Sequence, residues 1–409
     1  TAYALPGERV RQHVYDSART IQNEGLYPEY LGFKLFQMDN YTDTLMLFEA
    51  ASADELPPLQ AMMTNTAYNV DNFETLADDL AWYIEKDWST GAQRTDAPVL
   101  EPFSYARYWH GYLIWLRPLL LLMPYTGVRI VQYIVLLALL AVVLVQLRRR
   151  CGLRATVWFA ISQLAVSVWF VPHQVQYFTC FMIAYAGCAW VLAKPRRSDV
   201  LCLGLLVLGT VTAFCDLLVT PIITLGLPLT CWLLEPQQRL RGGVPQCALA
   251  VGGSLCWGTG YALCWAGKWA LAGAVTDNNV LADALHQAEV RTTADTWHGM
   301  ELTWRNIFIF LYDTLNGHHL FWPALAVLAV LIALFILSIR SKTALVRALP
   351  LALTTCMTPA WFVLLRTHSI QHGWFTWRAL GLTVFAGLAF LYYACDLRAA
   401  RRRLQKGSI

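Results

Sequence analysis

The 409 residues are 57% hydrophobic and only 14% charged, with a formal net charge of +4. That balance excludes an ordinary soluble domain. It also argues against nucleic acid as a partner, because the surplus positive charge is small and sits at the ends of apolar runs. These runs are continuous rather than alternating and about 16 to 24 residues long, the length of helices crossing a hydrocarbon core of roughly 30 Å and not of barrel strands. The expected fold is an all-α polytopic membrane protein.

Residues 1–107 are polar and mixed in charge, and read as an exoplasmic loop domain. Within them Val10, Val14, Ala18 and Ile21 repeat at helical spacing and predict a helix over 8–24. A second helix is expected around Glu74–Glu85, and Pro57-Pro58 and Gly91 mark loops. Residues 108–127 are short, aromatic and interrupted by Arg117-Pro118, as in an interfacial helix followed by a turn. Six crossings are then expected in 128–268, at 128–147, 155–171, 175–193, 199–216, 219–234 and 245–268. Residues 269–320 form an outer loop with surface helices near 280–290 and 302–315. Three more crossings, 321–340, 344–365 and 376–396, occupy 321–397, before a basic tail at 398–409. This makes about nine crossings.

Charge fixes the orientation of such a chain. Arg148-Arg149-Arg150 and Arg154 mark one cytosolic turn, and alternation places Lys194, Arg196, Arg197, Arg239, Arg241, Arg340, Lys342, Arg347 and the tail on the same side. The setting this predicts is a plasma membrane, of bacterial type, with large loops exoplasmic and the C-terminus cytosolic. The nine histidines then all lie outside, as do all carboxylates except Asp199, Glu235 and Asp396. Acid–base chemistry is therefore expected on the outer side. With this topology a tenth helix is expected upstream of Thr1, to carry residues 1–107 across. The eleven cysteines lie in or beside the apolar runs, where they read as small core residues with no disulfide framework and no metal-ligand spacing.

Three places could carry chemistry. Asp39 and Asp43, in Asp39-Asn40-Tyr41-Thr42-Asp43, lie on one face if the stretch is helical, and partial desolvation near a membrane raises a carboxylate toward the range of a general base. The plainer reading is that Asp39 or Asn40 caps the helix running into Leu45-Met46-Leu47. The last outer loop gathers Arg366, His368, His372 and Arg378 with Trp374, Phe375 and Trp377, a set suited to an anion beside an aromatic platform. It also suits an aromatic belt with snorkelling arginines. Asp216, where two apolar helices turn, is a candidate site or a helix cap. His173 reads as a turn residue, and His318-His319 lacks the spacing of a metal motif.

In layout the chain resembles the C-type superfamily of polytopic membrane glycosyltransferases. Tyr105–Tyr125 occupies the place of that family's surface helix. Gly127-Val128-Arg129-Ile130, followed by the crossing to Arg148-Arg149-Arg150, matches its second helix. The resemblance implies a polyprenyl-phosphate-linked sugar as donor and a glycan or lipid acceptor in the cell envelope. It implies inversion at the anomeric carbon, with Asp39, or next Asp43, as general base and Glu8 as a further option. Arg366 and Arg378, with His368 or His372, would hold the leaving phosphate. No cofactor is required by this scheme, and a divalent metal stays an open option. Two other classes fit the same sequence: a lipid or glycan transporter, against which the scarcity of mid-helix charge speaks, and a non-enzymatic envelope scaffold or sensor.

Overall fold

The computed structural model describes residues 2–33, 36–53, 55–68, 102–240, 243–276, 279–293, 296–297, 300–301, 321–339 and 341–396. The expected helices near Glu74–Glu85 and 302–315, His318-His319 and the basic tail lie outside these residues. The described chain is built from helices, with only two-stranded pairings between them.

The first segment folds as α1 (Glu8–Glu24), α2 (Asn40–Ser52) and α3 (Pro58–Thr64), and a short strand β1 (Thr66–Tyr68) pairs antiparallel with β2 (Pro102–Ser104). As its spacing predicts, α1 buries Val10, Val14, Ala18 and Ile21. It packs them against α2 and α4 (Leu113–Leu120), the helical core of the expected interfacial stretch. In α4 Arg117 is fully buried, its Nη1 and Nη2 donating to the carbonyls of Ala2 (2.8 Å) and Leu5 (3.1 Å). That ties the N-terminal turn to the membrane-facing layer.

Among the described residues six helices are long and apolar enough to cross a membrane. They are α5 (Tyr125–Arg150), α7 (Val175–Ala193), α8 (Ser198–Cys215), α10 (Gly243–Val275), α13 (Lys342–Leu364) and α15 (Gly373–Ala394). The other three expected spans are also helical: α6 (Leu153–Ala165) and α9 (Ile222–Leu233) are shorter, and α12 (Phe321–Ser338) has 18 residues. Between α10 and α12 lies α11 (Val280–Thr293), and α14 (Arg366–Gln371) fills the turn between α13 and α15.

The shortening of α6 and α9 has a local cause. After α6, Ser167 adopts a left-handed conformation (φ 53°) and a 3-10 turn over Val168–His173 carries Pro172. Before α9, Leu218 is left-handed (φ 68°) and Pro221 precedes the first helical residue. Irregular backbone at this depth is tolerated only where protein covers it or where it lines a cavity. Both breaks are at the same end of the bundle, under the first segment.

The helix ends collect at two poles. One, the loop pole, carries the described residues of 2–68, the breaks at 167–173 and 216–221, α11 and α14. The other, the basic pole, joins Arg150 to Glu235 (3.0 Å), stacks Arg239 on Tyr393, and ties the Asp396 amide to the Ser338 carbonyl (2.7 Å). Small residues permit the closest packing: a Cβ on Gly209 would stand 2.0 Å from the Trp257 carbonyl oxygen, and one on Gly260 2.1 Å from that of Leu206. Thus α8 and α10 touch backbone to backbone.

Candidate functional site

At the loop pole α2 begins where the sequence places an N-cap. Asp39 accepts from the Thr42 amide (3.0 Å) through Oδ1 and from the Thr42 hydroxyl (2.7 Å) through Oδ2. Its burial pushes the carboxyl pKa up, against the pull of the Gln176 side chain and Thr42. One turn on, Asp43 is fully buried and caps a different helix. Its Oδ2 accepts from the Val175 amide (3.0 Å) and the Tyr125 hydroxyl, and its Oδ1 accepts from the Gln176 amide (3.3 Å). Burial raises Asp43 to about 7 although all of these donors oppose the rise. The first-turn amides of α7, which have no partner in their own helix, are thus satisfied from α2.

Neighbouring groups fix this arrangement. The Asp39 amide donates to Gln174 Oε1 (2.8 Å), and Gln174 Nε2 donates to Asn40 Oδ1 (2.9 Å). Arg129 of α5 grips Glu24 through both nitrogens (2.5 and 2.8 Å), donates through Nε to the His173 carbonyl (2.8 Å) and lies 4.4 Å over the Tyr125 ring. His173 is a turn residue whose Nδ1 meets the Tyr133 hydroxyl at 2.7 Å.

The turn between α13 and α15 divides between two neighbourhoods. Arg378 is buried with its guanidinium 4.6 Å over Tyr177, and the Tyr177 hydroxyl donates to the Gln37 carbonyl (3.4 Å), two residues before Asp39. Tyr27 meets Trp374 edge-on at 5.2 Å. Asp39 and Arg378, distant in sequence, therefore share one neighbourhood. Arg366, His368 and His372 belong to the other. Here α14 packs on α11, and His368 Nε2 donates to the Leu218 carbonyl (2.8 Å). His372 lies 4.7 Å from the His368 ring and stacks on Phe375 at 5.3 Å. Burial, with Arg291 nearby, pushes His372 down to about 4, and burial pushes His368 well below its ordinary value, so both rings are neutral at pH 7.

Asp216 closes α8 and is buried. Its Oδ1 accepts from the Val219 amide (3.2 Å), its Oδ2 has no hydrogen-bond partner among the described residues, and the Cys180 thiol lies beside the carboxyl. Burial raises this carboxyl to about 6. The hydroxyls of Thr220 and Tyr261 and Nδ1 of His368 are likewise buried without hydrogen-bond partners among the described residues. Clusters of unsatisfied buried polar atoms mark places where water or a ligand binds.

Next to this cluster lies a cavity of about 320 Å³ between α10, α11 and the end of α13. Its walls are aromatic, from Tyr108, Tyr261, Trp265, Trp269 and Trp361, and Leu218 lines it too. Two cations border it: Arg107, ion-paired to Asp283 (3.1 Å), and Arg291, which donates to the Tyr108 hydroxyl (2.8 Å). An anion flanked by apolar surface fits such a space, because arginine pairs with phosphate while the rings cover a hydrocarbon or a sugar face.

The sequence reading missed this cavity. A signal was present: Trp257, Tyr261, Trp265 and Trp269 recur every fourth residue on one face of α10, and successive rings are 4.8, 4.9 and 5.9 Å apart. It also missed a buried dyad in which His110 Nδ1 meets Glu49 Oε2 at 2.6 Å, with the Tyr112 hydroxyl (2.5 Å) and Asn65 Nδ2 (2.6 Å) on the same carboxylate. Among the described residues no group of three or more His, Cys, Asp or Glu side chains is disposed to hold a metal ion. Comparison with protein-family models, curated proteins and solved structures finds no match to this chain.

Proposed function

We propose that the chain is a membrane glycosyltransferase that moves a sugar from a polyprenyl-phosphate donor to an envelope glycan or lipid at its loop pole, with that pole exoplasmic. The observation that carries the reading is the aromatic cavity bordered by Arg107 and Arg291 at the pole where Asp39 and Arg378 also meet. In this scheme the isoprenoid end of the donor lies against the rings, and arginines hold the phosphate. An acceptor hydroxyl gives its proton to a carboxylate while its oxygen attacks the anomeric carbon. The bond from that carbon to the phosphate oxygen breaks with its electron pair going to the phosphate, where the cations stabilise it.

Asp39 is the base in this reading. Its raised pKa suits the role, and half-exposed Tyr27, whose phenol feels the Asp39 charge and whose ring meets Trp374, offers a sugar platform beside it. Asp43, saturated by donors from α5 and α7, serves as a brace. Asp216 is the alternative base, favoured by its unengaged Oδ2 next to the cavity.

The test uses the purified full chain with polyprenyl-phosphate hexoses, following release of polyprenyl phosphate. Arg291→Gln is expected to weaken donor binding about tenfold. Asp39→Asn is expected to keep binding and lower turnover about a hundredfold or more. Loss of turnover in Asp216→Asn with Asp39→Asn active would move the base to Asp216. Donor binding indifferent to Arg291, or donor bound without turnover by any acceptor class, would remove the transferase reading and leave a binding protein.

A further inference from the structure

The basic pole contains a second cavity of about 320 Å³, at the opposite end of the bundle from the proposed transfer site, between the end of α9, the start of α10, the start of α13 and the end of α15. Arg239, Arg347, Ser341, Thr343, Gln246 and Tyr393 are among its lining residues. Arg239 donates through one guanidinium nitrogen to the Tyr393 hydroxyl, lies 5.0 Å over that ring, and keeps its Nε buried with no acceptor among the described residues. Gln246 is only 3% exposed. Its Nε2 donates to the carbonyl and side-chain oxygens of Gln238 (3.1 Å each), while its Oε1 has no donor among the described residues. The cavity also receives the N-terminus of the 23-residue α13, where the Ser341 hydroxyl accepts from the Ala344 amide (3.1 Å). The earlier amides of that turn have no intrahelical acceptor.

These features are complementary to one kind of ligand. Two arginines and a helix N-terminus supply donors and positive potential for a phosphate. An orphaned buried amide oxygen requires a donor, which a plain phosphate ester lacks and a hydroxylated one supplies. The space is large enough for such a group and too large for a single ordered water. We propose that this cavity binds a phosphate ester bearing a hydroxyl, the chemistry of a glycerophosphate headgroup, with Arg239 and Arg347 on the phosphate and Gln246 Oε1 on the hydroxyl. Such a group can come from a leaflet lipid or from a soluble glycerol phosphate. The site is independent of the proposed transfer reaction.

The experiment takes the full chain in uncharged detergent. It measures retention of dioleoyl phosphatidylglycerol, phosphatidylcholine, phosphatidic acid and glycerol 3-phosphate by native mass spectrometry. Phosphatidylglycerol is expected to be retained in preference to phosphatidylcholine. Displacement of the lipid by glycerol 3-phosphate at similar concentration assigns a soluble source, and its failure to displace assigns the lipid. Arg239→Gln with Arg347→Gln should lower retention at least tenfold. Gln246→Leu should erase the preference for phosphatidylglycerol over phosphatidic acid. Ala344→Trp, which fills the cavity with both arginines in place, covers the case in which the double variant fails to fold and should also abolish retention. Unchanged retention in Ala344→Trp, or equal retention of phosphatidylcholine, would overturn the proposal.

Discussion

Removing Arg129 tests how the Asp39–Asp43 segment is held on the membrane helices. The guanidinium makes two bonds to Glu24 and one to the His173 carbonyl, and covers the Tyr125 ring. Side-chain exposures of 10% for Arg129 and 18% for Glu24 make the pair largely but not wholly desolvated. Truncating one member of a fully buried pair costs about 3–5 kcal/mol, so partial hydration of Glu24 lowers the expectation for Arg129→Met to about 2–4 kcal/mol. Glu24→Gln is milder, because Asn40 Nδ2 still donates to the residue (3.2 Å) and the amide can accept one bond from Arg129. The pairwise part is isolated by a double-mutant cycle of Arg129→Met with Glu24→Gln, read by equilibrium unfolding in mixed micelles. A coupling of about 1.5–3 kcal/mol is expected, the range for charge-assisted bonds. A coupling under about 0.5 kcal/mol would refute the claim that this pair anchors the segment, since exposed pairs fall in that range.

Two further outcomes follow from packing and protonation. Gly209→Ala places a methyl against the Trp257 carbonyl and should cost about 1–3 kcal/mol by forcing α8 from α10, whereas Gly267→Ala, which meets nothing within 4 Å, should be neutral or mildly stabilising; equal effects would refute the close approach. His368 and His372 are held below the unfolded value of about 6.5, so the unfolded chain binds more protons as pH falls. The contribution of His372 should be level above about pH 7 and decline from there toward pH 4, by at most about 3 kcal/mol, while the raised carboxyls of Asp43 and Asp216 act in the opposite sense over the same range. His372→Asn should flatten that decline, and a slope unchanged by the substitution would place its source elsewhere.

Local signals were legible in the sequence and non-local ones were not. The stripe Val10, Val14, Ala18 and Ile21 shows the buried face of α1, and Asp39 stands before α2 as a cap because its partner Thr42 is three residues away. Long apolar runs likewise mark the six helices of membrane length. Hydropathy overextends α6 and α9, since it weighs apolarity and not backbone conformation; Pro172 and Pro221 were the better indicators. The service of Asp43 to α7 and of Arg129 to Glu24 joins residues more than a hundred positions apart, which no periodicity reports. Charge alternation and the resemblance put Asp39 and Arg378 on one side of the bundle, but not their link through Tyr177 and Gln37. The separation of His368 and His372 from that pair, toward Leu218 and Arg291, depends on the left-handed break at Leu218 and has no sequence pattern of its own.

The 33 residues of α10 amount to a rod of about 50 Å, some 20 Å more than a hydrocarbon core needs. Near its far end Lys268 is buried and donates to the carbonyls of Met62 (2.5 Å) and Met63 (3.1 Å) and to Asn65 Oδ1 (2.5 Å), so the rod ends as a pillar under the covering segment. A roof bolted to its pillar does not lift by itself. Any tilt of that one rod, as when the surrounding bilayer thins or thickens, carries the residues held by Lys268 with it.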